Sequence, residues 1–312
     1  MGKNKALVIG PLGQDGSFMC DILLDKGYEV YGIIKIDTDS SRLDSRISYY
    51  RIDLNENKEA FKRLLIAKKP DEIYNFMGIT DVFHPWSNAY DVYQNNFMIP
   101  IMMLETIKEV NHDIKFLQAS SSLVFGMNKE RPQNEETKRN PIYHYGMAKN
   151  FVDEAIKSYR KNFDMNLTSV ILYPHESERR RDNFFSKKMI DGAVDIKNGK
   201  LKRIEVGDVN GYRDIGYAKD YMEACHLIMQ QDVLDDYVIG SGTPVKTSYF
   251  IKEIFRKLGL GPDSIVIKDS LKRGDDLSHL IADNTKIKEL GWEPTKTIDD
   301  IIDIMIKYKL NE

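Results

Sequence analysis

Covalent or metallic reinforcement is scarce in this chain of 312 residues, which has two cysteines and six histidines. Cys20 and Cys225 each sit inside an apolar helical pattern, "FMCDILL" and "YMEACHLIM". That placement speaks against a disulfide framework or a zinc site and predicts two buried thiols and no metal centre. Charge of one sign is scarce as well, because 45 Lys and Arg stand against 48 Asp and Glu, a net of -3. No general field attracts nucleic acid, so an anionic partner needs a local basic patch and is expected to be small. Long apolar runs are missing. "FMIPIMML" is the most apolar stretch, but it is short and holds Pro100, against the ~20 residues that a membrane span requires. The start, "MGKNKALVIG", enters a strand with no signal-like apolar region. Together these features predict a cytoplasmic protein that does not enter a membrane.

What is present is a core and an alternation. Hydrophobic residues make up 42% of the chain, ample for one large domain or two intimate ones. Short β-branched runs alternate with amphipathic helical patterns from "KALVIG" and "SFMCDILLDKG" through "DIKFLQAS", "NFVDEAIKSYRKNF" and "NLTSVILY". Such alternation predicts an α/β fold: a doubly wound parallel sheet of the Rossmann type, with helices on both faces. After residue 173 the pattern loosens into the charged segment "HESERRRDNFFSKK", the short strands "KRIEVGD" and "DDYVIGSG", and helices over 247–259 and 285–312 around "SIVIKD". The expected division is a dinucleotide-binding domain from residues 1–172 and 207–240, and a smaller discontinuous lobe from 173–206 and 241–312.

In "VIGPLGQDGSF" three glycines, Gly10, Gly13 and Gly16, follow an apolar strand and open a helical pattern. Glycine allows the backbone to turn tightly, so that a pyrophosphate reaches the N-terminus of the helix, whose N–H groups and dipole favour an anion. A glycine triplet alone is a weak signal; between a first strand and a first helix it predicts a dinucleotide cofactor. At the end of the second strand, Ile34 occupies the usual place of an acidic ribose ligand, with Asp37 and Asp39 just beyond it. Two carboxylates repel a 2′-phosphate, while Lys35 and Arg42 would attract one; the balance predicts NAD rather than NADP. Asp53 in "RIDL" suits a contact to the adenine amine. The cofactor set expected at this end is Gly10, Gly13, Gln14, Asp15, Gly16, Asp37, Asp53 and Leu54.

Tyr145 and Lys149 in "YGMAK" stand one helical turn apart on one face. A free phenol has a pKa near 10, so its use as a base near neutrality requires stabilising the phenolate by on the order of 4 kcal/mol. The Lys149 ammonium is the obvious source, and the same side chain would hold the nicotinamide ribose. Ser121, at the end of the strand "KFLQAS", can hydrogen-bond the same substrate hydroxyl. An intact Tyr145/Lys149 pair argues for an enzyme and against a noncatalytic sensor that keeps the pocket without turnover.

The combination resembles the extended short-chain dehydrogenase/reductase family, and within it the GDP-mannose 4,6-dehydratases over nearly the whole chain. "GPLGQDGSF", "PDEIYNFMG", "FLQASSS", "PHESERR", "YRDIGYAKDYMEA", "DDYVIGSG" and "LGWEP" look like that group's segments, in order. The resemblance implies a nucleotide sugar, GDP-linked, oxidised at C4 of the sugar. It implies Tyr145 as base, Lys149 as its partner and Ser121 as the hydroxyl residue, with Ser122 beside the sugar. His175 and Arg180 match cofactor contacts; Lys188, Arg213 and Arg273 match diphosphate ligands; Asp276 matches an acidic residue that grips ribose hydroxyls. Forked guanidinium donors suit the roughly two negative charges of a nucleoside diphosphate. The resemblance also implies a homodimer or homotetramer, joined through helices near 92–108 and 143–162.

Three departures stand out. Leu123 follows Ser121 and Ser122 where the dehydratases carry a glutamate, the group that removes the C5 proton of the 4-ketone and helps expel the C6 hydroxyl. Leucine cannot carry a proton, so the expected reaction is oxidation at C4 without dehydration; among named activities it looks most like that of a GDP-D-glycero-α-D-manno-heptose 4-dehydrogenase. Glu176 and Asp81 are the candidates to replace the missing carboxylate and keep a dehydratase. A 4-epimerase or a 4-keto reductase needs no carboxylate at position 123 either. Pro174 stands where the family has an asparagine that donates to the phosphates. The loop "IKIDTDSSRLD" is acidic where relatives carry arginines for an NADP phosphate, which again favours NAD and puts tetramer assembly in question.

Overall fold

The computed structural model describes residues 3–80, 88–182, 184–271 and 280–311. Asp81, Arg273 and Asp276 lie outside the described residues. The chain forms two compact units, one of residues 1–128, 135–172 and 222–238, the other of 129–134, 173–221 and 239–312.

Strands β1 (Lys5–Ile9), β2 (Glu29–Ile34), β3 (Ser48–Arg51), β4 (Glu72–Asn75), β5 (Lys115–Ala119) and β6 (Leu167–Leu172) pair in parallel. With the strand Tyr237–Ile239 at one edge they form a seven-stranded sheet, ordered 237–239, β6, β5, β4, β1, β2, β3. The fold is the Rossmann-type doubly wound α/β sheet that the alternation predicts. Leu7, Ile9, Ile33, Ile73, Phe116 and Leu167 pack with helices α2 (Lys58–Lys68), α4 (Ile99–Val110) and α5 (His144–Phe163) through Phe61, Leu65, Met103, Leu104, Ile107, Val152 and Ile156. The alternate strand residues Val8, Val30, Tyr74 and Leu117 are buried as well. Side chains two apart share a sheet face, so both faces are covered, which is why these strands read as continuous apolar runs. Helix α1 (Gln14–Asp25) packs on β1 and β2. Cys20 and Cys225 are free and buried, as their apolar context predicts, and burial pushes the Cys225 thiol well up.

The helix before α4 is interrupted. A short helix α3 (Ala89–Tyr93) continues through a π turn at Gln94–Met98 before α4 begins with Pro100 in its first turn. Proline has no N–H for the preceding turn and crowds its carbonyl, and the wider turn absorbs the misfit.

The second unit is built from short pieces. Tyr212–Asp214 pairs antiparallel with Pro244–Lys246, Ile204–Val206 pairs with Ile265–Ile267, and His175–Glu176 pairs with Gly216–Tyr217. Helices Phe185–Lys197, Thr247–Leu258 and Ile298–Asn311 pack against one another. The segment expected as one helix over 285–312 is two, Thr285–Glu289 and Ile298–Asn311, because Gly291 turns at φ 92° and Pro294 follows it. The domain boundaries also differ from those expected: 207–221 and 129–134 group with the second unit. The reason is pairing between segments distant in the chain. Asp214 accepts from the backbone of Ser241, Gly242 and Ala282, and Gln133 exchanges backbone hydrogen bonds with Ile281 and Asp283. Among the described residues, no helix is long and apolar enough to cross a membrane, and no group of His, Cys, Asp or Glu is placed to hold a metal ion.

Candidate active site

The glycine turn has the shape its sequence predicts. Gly10 adopts φ 82°, a conformation that side chains disfavour. A Cβ on Gly16 would lie 2.1 Å from the Gly10 carbonyl oxygen, so no larger residue fits there. A Cβ on Gly13 meets only ordinary contact, and no side chain caps α1 at this residue. An open helix N-terminus behind a tight turn fits a dinucleotide pyrophosphate. Gln14 and Asp15 form the first turn of α1, where the Gln14 amide donates to the Asp15 carboxylate at 3.2 Å. Past β2, Asp37 is exposed in the turn Lys35–Thr38, and Asp39 caps a 3₁₀ turn at Ser40–Arg42. Arg42 donates to the Leu12 carbonyl at 3.4 Å, and Arg51 holds the carbonyls of Ile36 and Thr38. Asp53 closes its own turn by accepting from the Asn55 N–H at 2.9 Å, and Leu54 is buried.

Beside this turn, the tip of β5 meets the start of α5. Tyr145 is partly exposed in the first turn of α5, while Lys149 one turn on is buried, its Nζ 5.8 Å from the centre of the Tyr145 ring. Lys149 donates to the Ala119 carbonyl at 2.7 Å. Burial lowers its pKa to about 8, against the opposing pull of Asp153 and Asp15. Ser121 follows the end of β5, and its hydroxyl accepts from the Leu123 N–H at 3.3 Å. Ser122 is buried in the 3₁₀ turn Ser122–Val124 that also carries Leu123. A Cβ on Gly146 would lie 2.6 Å from the Leu123 carbonyl oxygen, so this glycine lets α5 press against the serine turn. Tyr145, Lys149, Ser121 and Leu123 are thereby brought together.

Asn96 completes this cluster and went unnoticed in the sequence. It lies in the π turn, fully buried, and its amide exchanges hydrogen bonds of 2.9 Å with both the N–H and the carbonyl of Ile79. A Cβ on Gly78 would stand 2.5 Å from the Asn96 oxygen and 3.6 Å from Lys149 Nζ, so the three share one small space. The available signal was "QNNFMIP", two asparagines and a proline inside a helical run, where each is disfavoured.

The remaining expected residues belong to the second unit. His175 is buried with its Nδ1 2.7 Å from the Tyr173 carbonyl and its ring 5.1 Å from that of Tyr221. Arg180 pairs with Glu176 at 3.1 Å and lies over the Phe184 ring at 3.7 Å. Lys188 is exposed on the helix Phe185–Lys197, and Arg213 is exposed on the strand Tyr212–Asp214 opposite Val245.

Comparison with known proteins gives this arrangement a family. The family model described as GDP-mannose 4,6 dehydratase matches residues 7–305. The chain belongs to the GDP-mannose 4,6-dehydratase family. It is 30% identical to a GDP-mannose 4,6-dehydratase of Vibrio cholerae over 99% of this chain and 94% of that one. To GDP-mannose 4,6 dehydratase 1 of Arabidopsis thaliana it is 32% identical, over 98% of this chain and 89% of the other. Among solved structures, UDP-glucose 4-epimerase from Thermotoga maritima with UDP-glucose superposes with a TM-score of 0.89 at 21% identity, over 98% and 99% of the two chains. dTDP-glucose 4,6-dehydratase from Bacillus anthracis in complex with NAD superposes with a TM-score of 0.86 at 18% identity, over 99% and 97%. The family acts on nucleotide sugars.

Proposed function

We propose that this chain oxidises the C4 hydroxyl of a GDP-linked, manno-configured sugar to a ketone and stops there, a nucleotide-sugar 4-dehydrogenase. The observation that carries the first half is the Tyr145–Lys149–Ser121 cluster; the one that carries the second is Leu123 in the serine turn.

NAD, when bound, supplies the hydride acceptor. The chain's own residues do the rest. Tyr145, as phenolate, takes the proton of the C4 hydroxyl while the C4–H bond breaks and the C4–O bond becomes a carbonyl. Lys149, buried beneath it, favours the phenolate by its charge, and with a pKa of about 8 it remains mostly cationic at neutral pH. Ser121 orients the C4 oxygen. Gly10, Gly13, Gln14, Asp15 and Gly16 would hold the pyrophosphate, with Asp37, Asp53 and Leu54 on the adenosine side and His175 and Arg180 toward the rest of the cofactor. Lys188, Arg213 and Arg273 would hold the GDP diphosphate, and Asp276 the ribose. The sugar proposed is GDP-D-glycero-α-D-manno-heptose, on the strength of the resemblance alone.

A second reading is favoured by the names of the relatives, which are 4,6-dehydratases and fit complete dehydration better than an arrested oxidation. It needs a group other than residue 123 to take the C5 proton. Glu176, one candidate, is buried and paired with Arg180, and Asp81, the other, lies outside the described residues.

Incubating the protein with NAD and either GDP-mannose or GDP-manno-heptose, then weighing the product by mass spectrometry, separates the two. The proposal expects loss of two hydrogens from the sugar. Loss of one water establishes the dehydratase; an isomer of unchanged mass establishes an epimerase.

A further inference from the structure

We infer that Asp153 is a positioning residue: together with Lys149 one turn before it, it clamps the tip of β5 and so fixes Ser121 against Tyr145. The inference rests on the reading of Tyr145 and Ser121 given above, and its evidence is geometric. Lys149 donates to the Ala119 carbonyl at 2.7 Å, and Ser120, the next residue, donates from its hydroxyl to the Asp153 carboxylate at 2.7 Å. Residues 149 and 153 lie on one face of α5. Two successive residues of the strand tip are thus gripped by two successive turns of the helix that carries Tyr145. The other Asp153 oxygen accepts from the Ser169 hydroxyl on β6, which ties the clamp to the neighbouring strand. Ser120 also donates its N–H to the Val170 carbonyl at 2.8 Å, and the Gln118 amide adds a second donor to the Ala119 carbonyl at 2.9 Å. Ser121 is the first residue beyond these anchors.

A carboxylate is an expensive choice for a purely structural brace, because Asp153 is 1% exposed and burial disfavours its charge. Neutral hydroxyl or amide partners would hold Ser120 and Ser169 without that penalty. What a carboxylate adds is an anion near Lys149, where it helps to keep the lysine cationic inside the protein. Around Lys149 the interacting groups are Asp153, Asp15 and the Tyr145 ring; around Asp153 they are Arg139, Asp236, Ser120 and Ser169. Arg139 itself is stacked on Phe125 at 4.8 Å, and its buried Nη1 has no hydrogen-bond partner among the described residues. Asp153 thus acts on Lys149 and is acted on by Arg139 and by a second carboxylate, Asp236, and in this reading it touches neither substrate nor cofactor.

The test uses Asp153→Asn, Ser120→Ala and the double variant in the full chain. Asp153→Asn keeps the shape, and Ser120→Ala leaves the carboxylate with Ser169. Each single change is expected to lower kcat for nicotinamide reduction about tenfold while KM for the GDP-sugar moves less than about twofold, because misplacing one group affects the transition state rather than binding. If Asp153 acts through Ser120, the double variant falls no further than Asp153→Asn. Losses that multiply in the double variant, or kcat unchanged in Asp153→Asn, overturn the inference. A readout independent of any sugar is the titration of the Lys149 ammonium, followed by NMR on isotope-labelled lysine and assigned with Lys149→Met. In Asp153→Asn it should move to lower pH; an unmoved titration overturns the coupling. Should the wild-type protein oxidise neither GDP-sugar, the functional reading fails, and the Lys149 titration still decides this one.

Discussion

At the scale of single residues, the chemistry turns on two side chains with different duties. Tyr145 is partly exposed and one turn from a buried lysine, an arrangement that pairs access to substrate with a low-dielectric source of positive charge. Tyr145→Phe is expected to lower the rate of nicotinamide reduction about 10²- to 10⁴-fold, the usual contribution of a positioned base, with GDP-sugar binding by calorimetry little changed. Lys149 makes a prediction of its own sign. Its folded pKa of about 8 lies below its ordinary 10.5, so between those values the folded protein binds fewer protons than the unfolded chain. The lysine therefore destabilises the fold at neutral pH, by on the order of 3 kcal/mol, and the penalty fades as pH rises from about 8 to 10.5. Lys149→Met should abolish activity yet leave thermal stability at pH 7 equal or higher, despite the lost hydrogen bond to Ala119. The stability difference between variant and wild type should move in the wild type's favour across that alkaline window. A strong loss of stability at pH 7 would contradict the assignment of a cationic lysine held at a cost.

At the scale of elements, two glycines set the site by letting backbones approach. Gly16→Ala places a methyl 2.1 Å from the Gly10 carbonyl oxygen, so the turn between β1 and α1 must open. The expected outcome is loss of the thermal stabilisation that NAD gives the wild type, about 2.7 kcal/mol at a hundred times Kd. Gly146→Ala sets a methyl 2.6 Å from the Leu123 carbonyl oxygen and pushes α5 from the serine turn; here kcat should fall with NAD stabilisation retained. The glycine turn and the Tyr145/Lys149 spacing were legible in the sequence because both are local: a strand, a turn and a helix fix them within a few residues. Asn96 was not, since its place depends on a π turn that distorts the helix, and no periodicity announces such a turn. Asp153 carries no signal of its own within the helical pattern "NFVDEAIKSYRKNF". Only the packing of β5 and β6 against α5 shows it to be buried, and burial is a tertiary fact.

At the scale of the whole molecule, the sheet was legible because its strands are buried on both faces and read as apolar runs between helical patterns. The second unit was not, because its strands are two or three residues long and their partners are distant in the chain, as with Tyr212–Asp214 and Pro244–Lys246. Such pairings leave no repeat to read, and through them the segment 207–221 groups with the second unit. Arg213, exposed on one of these strands, supplies the prediction at this scale. Arg213→Gln should raise KM for the GDP-sugar about tenfold, as expected for the loss of one charge-assisted hydrogen bond to phosphate, and leave NAD stabilisation unchanged. A shift confined to NAD binding would move this arginine to the cofactor side.

The central claim is that oxidation at C4 is where the chemistry ends, because a leucine stands in the turn beside the base. Its most direct measurement is the amount of reduced nicotinamide formed per sugar consumed, read in deuterated water with the product identified by NMR. The account predicts one reduced cofactor for each 4-keto sugar, with the C6 hydroxyl intact. A 6-deoxy-4-keto sugar carrying solvent deuterium at C5, formed with no net reduction of the cofactor, would contradict it.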